Sequence, residues 1–175
     1  MPSRTTATGG RMICAKCEVP ANLTSAVTLS PAGEPGEPLE ITGVIFQRDG
    51  GHAAAGVVMF VYHTDATGHY DPEDDPFAPR LRGWLRTGAD GRYRIRTIRP
   101  APYPNHSEPA HIHVHLWSDT MPEHFIDEFW FDGDPIIKSV DAARFKSLGS
   151  FSPIVVLTQR ADGVWHGVRD IRLDR

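Results

Sequence analysis

From Leu39 onward the chain reads as short runs of apolar and β-branched residues, cut by Gly, Asp and Pro. LEITGVIFQ (39–47) and GVVMFVYHT (56–64) are two such runs, with turn residues in RDGGH between them. RYRIRTI (92–98) alternates cleanly, placing Tyr93, Ile95 and Thr97 opposite Arg92, Arg94 and Arg96. AHIHVHLW (110–117) and HFIDEFWF (124–131) predict two further strands. SPIVVLTQ, the turn RADG and VWHGVRDIRL predict a closing hairpin. Only VDAARFKSL (140–148) carries a helical pattern, and it is short. Repeated short strands between turn signals predict an all-β fold, a sandwich or barrel with one short helix. Segment 65–91 holds too many breakers to be regular throughout and is expected as a long loop, the kind of place where sites sit.

Residues 1–38 are rich in Pro, Gly, Ser and Thr and predict an irregular N-terminal arm ahead of a sandwich domain over 39–175. The 175 residues suit one domain, and the net charge of −4 carries no block of like charge. That argues against a nucleic-acid or membrane-surface partner. No stretch approaches the ~20 apolar residues of a membrane span. The N-terminal stretch has no apolar core of a secretory signal, so the expected setting is cytoplasmic. Cys14 and Cys17 are the two cysteines, in C-A-K-C. The spacing would suit a redox dithiol or half a zinc site, but no thioredoxin-like pattern or well-spaced further ligand accompanies it. They are expected to be incidental thiols on the arm.

EPAHIHVHLW (108–117) sets His111, His113 and His115 on one face of a strand, with Ile112, Val114 and Leu116 on the other. The apolar face fits a core. The imidazole face fits either a hydrogen-bonded polar surface or a metal held above the strand. Further ligands would have to come from elsewhere. Tyr62 and Tyr93 lie in strand patterns and read as core or sheet residues. Tyr70, in TGHYDP, and Tyr103, in PAPYP, lie in loops, and the flanking prolines restrict the aim of Tyr103. A loop tyrosine could equally plug the surface. Two tyrosinates with two imidazoles would form a hard anionic set favouring Fe(III) over Zn(II).

The order G-x-Y, then GRYRIRTIRPAPYP, then PAHIH, then WFDGDP resembles the intradiol ring-cleavage dioxygenases over roughly residues 40–136. The resemblance implies a β-sandwich core in a short, single-domain member. It implies one non-haem Fe(III) held by Tyr70, Tyr103, His111 and His113, with Tyr103 the ligand that swings away and takes a substrate proton. His115 has no ligand counterpart and is expected to support the site. The implied reaction cleaves a catechol-like or hydroxyquinol-like ring with O2, between its hydroxylated carbons, to a muconate-type diacid. Family members commonly associate, so a homo-oligomer is allowed.

Two positions depart from the family pattern. Glu108 stands where an arginine typically precedes P-A-H-I-H, and Glu128 where a glutamine typically stands before WFDGDP. A carboxylate near the substrate would oppose negative charge building on the ring. Glu108 and Glu128 are therefore candidates for a general base or for binding a donor group on a different substrate. The opposing reading pairs them with Arg80, Arg82 or Arg99 and gives them no chemistry. Arg80, Arg82 and His106 are the candidates to bind a substrate carboxylate. Alternative functions are another oxidation of a phenolic substrate at the same ferric site, or a metal-retaining binding protein without turnover.

Overall fold

The computed structural model describes residues 13–71, 73 and 77–174. Residues 1–12 of the expected arm lie outside them. The strands are β1 (Ala26–Thr28), β2 (Pro38–Phe46), β3 (Val58–His63), β4 (Leu81–Arg86), β5 (Arg92–Ile98) and β6 (His111–Trp117). They continue as β7 (His124–Phe125), β8 (Phe129–Phe131), β9 (Ile154–Val155), β10 (Thr158–Gln159), β11 (Trp165–Val168) and β12 (Ile171–Arg172). Helix α1 spans Ser139–Lys146, close to the predicted segment, and buries only Phe145.

The strands form two sheets packed face to face, as predicted. One runs β1-β5-β2-β11-β10, with β12 also on β2. The other runs β4-β3-β6-β8-β9, with β7 also on β6. Strand β5 shows how the pattern becomes structure. Tyr93 and Ile95 point inward and are buried, while Arg92, Arg94 and Arg96 remain exposed. Between the sheets, Ile41, Ile45 and Ile95 meet Met59, Val61, Leu85, Ile112, Val114 and Leu116 in one apolar cluster. Every residue of β3 is buried, so the second sheet is covered on both faces. Its outer cover is the arm: Ala15, 1% exposed, packs with Phe60, Tyr62 and Tyr70.

Three expectations need correction. Segment 65–91 contains β4, where Leu81, Gly83 and Leu85 are buried and Arg82 and Trp84 face the other way. Gly83 breaks the apolar alternation in sequence but is needed in space. A Cβ there would lie 2.7 Å from the side chains of Val27 and Leu29, so glycine lets the β1 segment pack close. HFIDEFWF splits into β7 and β8, and the intervening Asp127 carbonyl accepts a 2.9 Å hydrogen bond from Arg169. Cys14 and Cys17 are not incidental thiols. A turn with a 3.3 Å bond from Cys17 N–H to Cys14 O brings them together, and they form a disulfide. The closing hairpin does form, with β10 antiparallel to β11 across RADG.

His63 is fully buried. Its Nδ1 lies 2.6 Å from the Thr64 carbonyl and its Nε2 2.7 Å from Thr97 Oγ1. The carbonyl can only accept, so Nδ1–H donates and the Thr97 hydroxyl donates to Nε2, an arrangement that suits a neutral ring. Burial pushes its pKa down from 6.5 to about 4. The unfolded chain takes up this proton more readily than the fold does, so the contribution is fully present above about pH 6.5 and is lost progressively as pH falls from there to about 4. Urea titrations at pH 7 and pH 4.5 are expected to differ by up to about 3 kcal/mol from this group. A His63→Gln variant is expected to flatten that part of the dependence.

Candidate metal centre

The outer face of β6 carries His111, His113 and His115, and the residues beside them decide which become a site. Tyr62 pairs with His113 across β3–β6, and Phe60 with His115. The Tyr62 ring stacks on His113 at 4.6 Å between centroids. His111 is buried, and its Nδ1–H donates to the Pro109 carbonyl at 2.6 Å. That bond fixes the tautomer and leaves Nε2 with a bare lone pair. The segment before the strand is held by Asp134 of WFDGDP, which accepts from Ala110 N–H at 2.9 Å and from Ile136 N–H at 2.9 Å. The Asp134 support was not foreseen from sequence, although the motif containing it was.

The two loop tyrosines arrive by a different route. Asp65 Oδ1 accepts from Thr67 N–H at 2.8 Å and His69 N–H at 3.2 Å, curling the chain ahead of Tyr70. Thr64 donates to the Ala101 carbonyl at 2.7 Å, and Ala101 N–H donates to the Asp65 carbonyl at 3.1 Å. These bonds lay the Pro-rich loop of Tyr103 alongside the Tyr70 loop. Gly68 seals the contact: its φ is +88°, and a Cβ there would meet the Pro102 carbonyl oxygen at 2.3 Å. The glycine of G-x-Y is thus the point where the tyrosine-bearing loops touch.

The four expected side chains converge. Tyr70 Oη lies 2.5 Å from Tyr103 Oη and 2.9 Å from His113 Nε2. Tyr103 Oη lies 3.2 Å from His111 Nε2 and 3.4 Å from His113 Nε2. The two Nε2 atoms are 2.9 Å apart. Such spacings are of the order found between neighbouring donors around a first-row metal with bonds of about 2.1 Å. Among the described residues no group of three or more His, Cys, Asp or Glu offers another metal cluster. Burial, then the neighbouring Tyr103, pushes the Tyr70 phenol well above its usual range. The protein alone keeps that phenol neutral, and only a cation at the cluster would favour the phenolate. Two phenol oxygens and two imidazole nitrogens, one of them with its proton already committed elsewhere, fit a hard ferric ion.

The glutamates flank this cluster without joining the arginines. Glu128 Oε1 lies 3.6 Å from His113 Nδ1, and the imidazole is the main reason its carboxyl is held below the usual range. Glu108 is exposed, with Oε2 3.9 Å from His111 Nε2. Arg80 instead binds Glu34 at 2.6 Å, Arg82 binds Glu18 at 2.7 Å, and Arg99 binds Glu37 at 2.9 Å. His115 is buried with its own partner, Glu123 Oε1 at 2.8 Å, and packs 3.8 Å from the Phe125 ring. Its ring lies 5.9 Å from that of Tyr62, which stacks on His113.

A cavity of about 260 Å³ opens on the cluster, lined by Ile13, Tyr62, Tyr70, Phe77, Tyr103, His113 and Phe125. It is near the lower bound of small-molecule sites, ~300 Å³. A larger cleft of about 520 Å³, around His124, Phe151 and Arg169, contains none of the four donors. Ile13, Phe77 and Phe125 were not foreseen as site residues, because no motif marks them.

A sandwich with two phenols and two imidazoles gathered on one outer sheet face is the arrangement expected of a β-sandwich dioxygenase. A family profile described as Dioxygenase matches residues 18–153, and the chain belongs to the intradiol ring-cleavage dioxygenase family. It is 34% identical over 139 residues to the protocatechuate 3,4-dioxygenase beta chain of Burkholderia cepacia, covering 69% of this chain and 59% of that protein. It is 31% identical over 132 residues to catechol 1,2-dioxygenase 1 of Acinetobacter lwoffii, covering 65% and 42%. The chain thus spans about half the length of these curated relatives. The dioxygenase domain of a dioxygenase carbohydrate-binding fusion from Streptomyces sp. SirexAA-E superposes with a TM-score of 0.63 at 27% identity, covering 95% of this chain and 99% of that one. No helix among the described residues is long and apolar enough to cross a membrane.

Gly68→Ala is expected to push the tyrosine loops apart. Strain at this φ alone costs about 1–3 kcal/mol, and urea denaturation should register a loss of at least that size. Glu128→Gln removes the charge behind His113. It is expected to weaken iron affinity by about 10- to 100-fold, measured by competition with a chelator.

Proposed function

We propose that this chain is an Fe(III)-dependent intradiol dioxygenase acting on a catechol-type aromatic, with O2 as co-substrate and a muconate-type diacid as product. The observation that carries this reading is the convergence of Tyr70, Tyr103, His111 and His113 donor atoms, 2.5–3.4 Å apart, at the mouth of an apolar cavity. Tyr70, Tyr103, His111 and His113 are the proposed ligands. A bound ferric ion would supply Lewis acidity and a template, acidifying the catechol hydroxyls and drawing electron density from the ring so that a ring carbon reacts with O2.

The remaining roles fall to the protein. Tyr70, buried and wedged against Tyr62 and His113, is the fixed phenol. Tyr103 is the more exposed one, and its Oη is the atom that takes a substrate hydroxyl proton. Glu108, at the rim with Oε2 3.9 Å from His111 Nε2, is the carboxylate that receives the second proton. Glu128 keeps the His113 ring oriented. Ile13, Phe77 and Phe125 give the reacting ring apolar surface to lie against. The Cys14–Cys17 disulfide suits an oxidising compartment rather than the cytoplasmic setting expected from the sequence, since cytosolic thiols are held reduced.

Iron-loaded protein given catechol is expected to consume one O2 per ring opened and to yield the diacid, seen by oxygen electrode and mass spectrometry. Removal of iron by a chelator is expected to abolish the uptake. Glu108→Gln is expected to lower kcat by about 10²- to 10⁴-fold. Unchanged turnover in that variant would end the base role, and absence of O2 uptake with any catechol would end the proposal.

A further inference from the structure

The cavity beside the cluster has one wall that belongs to no strand. Ile13 lines it together with Phe77, Phe125 and the site residues. Ile13 sits at the start of the turn closed by the Cys14–Cys17 disulfide. This turn makes no ladder bonds to either sheet. Side chains pin it instead. The Trp84 indole N–H donates to the Ala15 carbonyl at 2.6 Å. Lys16 Nζ sits 5.5 Å over the Trp117 ring, and Arg82 binds Glu18 at 2.7 Å. Ala15 is buried between them against Phe60. A short, cross-linked, pinned turn loses little freedom when it presents Ile13, so it makes a defined wall rather than a floating flap.

The charge around the cavity points the same way. Among the described residues, no Lys or Arg lines it. Arg80 and Arg82 are engaged by Glu34 and Glu18. Glu108 and Glu128 flank the His111 and His113 donors. Among the described residues, a ring bearing a carboxylate would find carboxylates and hydrocarbon there and no cation.

Resting on the reading of the site as a catechol dioxygenase, we propose that Ile13 is a specificity-determining residue. The disulfide-closed turn holds it against the substrate ring, so the site takes catechols with neutral, apolar ring substituents and rejects carboxylated ones. Discrimination of this kind comes both from apolar contact with the accepted substituent and from the lack of a partner for the rejected charge.

The test is anaerobic titration of the iron-loaded full chain with catechol, 4-methylcatechol, 4-tert-butylcatechol and protocatechuate, followed by the visible band. Wild-type protein is expected to bind the alkyl catechols at least tenfold more tightly than protocatechuate. Ile13→Ala is expected to weaken 4-tert-butylcatechol by about tenfold, as partial loss of apolar contact requires, and plain catechol by less than about threefold on the same grounds. Cys14→Ser with Cys17→Ser is expected to reproduce that pattern. In the metal-free protein it should also red-shift tryptophan emission as Trp84 loses its cover, a shift that a Trp84→Phe background removes. Tighter binding of protocatechuate than of the alkyl catechols would overturn the proposal, as would unchanged relative affinities in Ile13→Ala. Full retention of both affinity pattern and emission in the double serine variant would overturn the role of the disulfide. A protein that shows no visible band, or no response to any catechol, would instead count against the dioxygenase reading itself.

Discussion

Four polar side chains turned toward a single point form the constraint on which the rest of this structure depends. Two imidazole nitrogens and two phenol oxygens packed 2.5–3.4 Å from one another, with the Tyr70 phenol raised in pKa by burial, form a costly arrangement in a protein interior. It persists because each member is fixed from behind. Pro109 holds the His111 tautomer, Tyr62 and Glu128 hold His113, and the Gly68–Pro102 contact holds both tyrosine loops. The two sheets supply the rigidity. The inward residues of β6 are core, so its outward residues cannot turn. A set of donors gathered at this cost makes physical sense when a cation completes it.

Much of the arrangement was legible in the sequence. The period-2 alternation of residues 92–98 and 110–117 gave the strands and the shared histidine face, because side-chain direction in a strand follows from position alone. The meeting of Tyr70 and Tyr103 with those histidines could not be read from periodicity. It depends on two loops closing on the strand, that of Tyr70 from more than thirty residues before Tyr103, and only the order of family motifs pointed to it. Strand β4 was hidden because Gly83 reads as a breaker, while its function is to admit Val27 and Leu29. The arm was hidden for a similar reason. Nothing in C-A-K-C shows that a tryptophan far along the chain binds the carbonyl between the cysteines.

The departures from the family pattern gain meaning from where they sit. Glu128 is tied to the back of His113, so it belongs to the support of the cluster as much as to its chemistry. Glu108 stands on the open side, close to His111 and exposed. Neither is neutralised by the arginines that the sequence offered as partners, since those secure the arm and the segments around it. The result is a donor cluster of the family's type facing an apolar cavity with an acidic rim.

The most direct test of this account is the visible absorption spectrum of the purified, iron-loaded protein, before and after anaerobic addition of catechol. A broad tyrosinate-to-Fe(III) band that moves to longer wavelength with catechol is the expected result, because it requires phenolate and catechol on one ferric ion. A colourless protein that takes up no iron would contradict the central claim that the four donors are gathered to hold it.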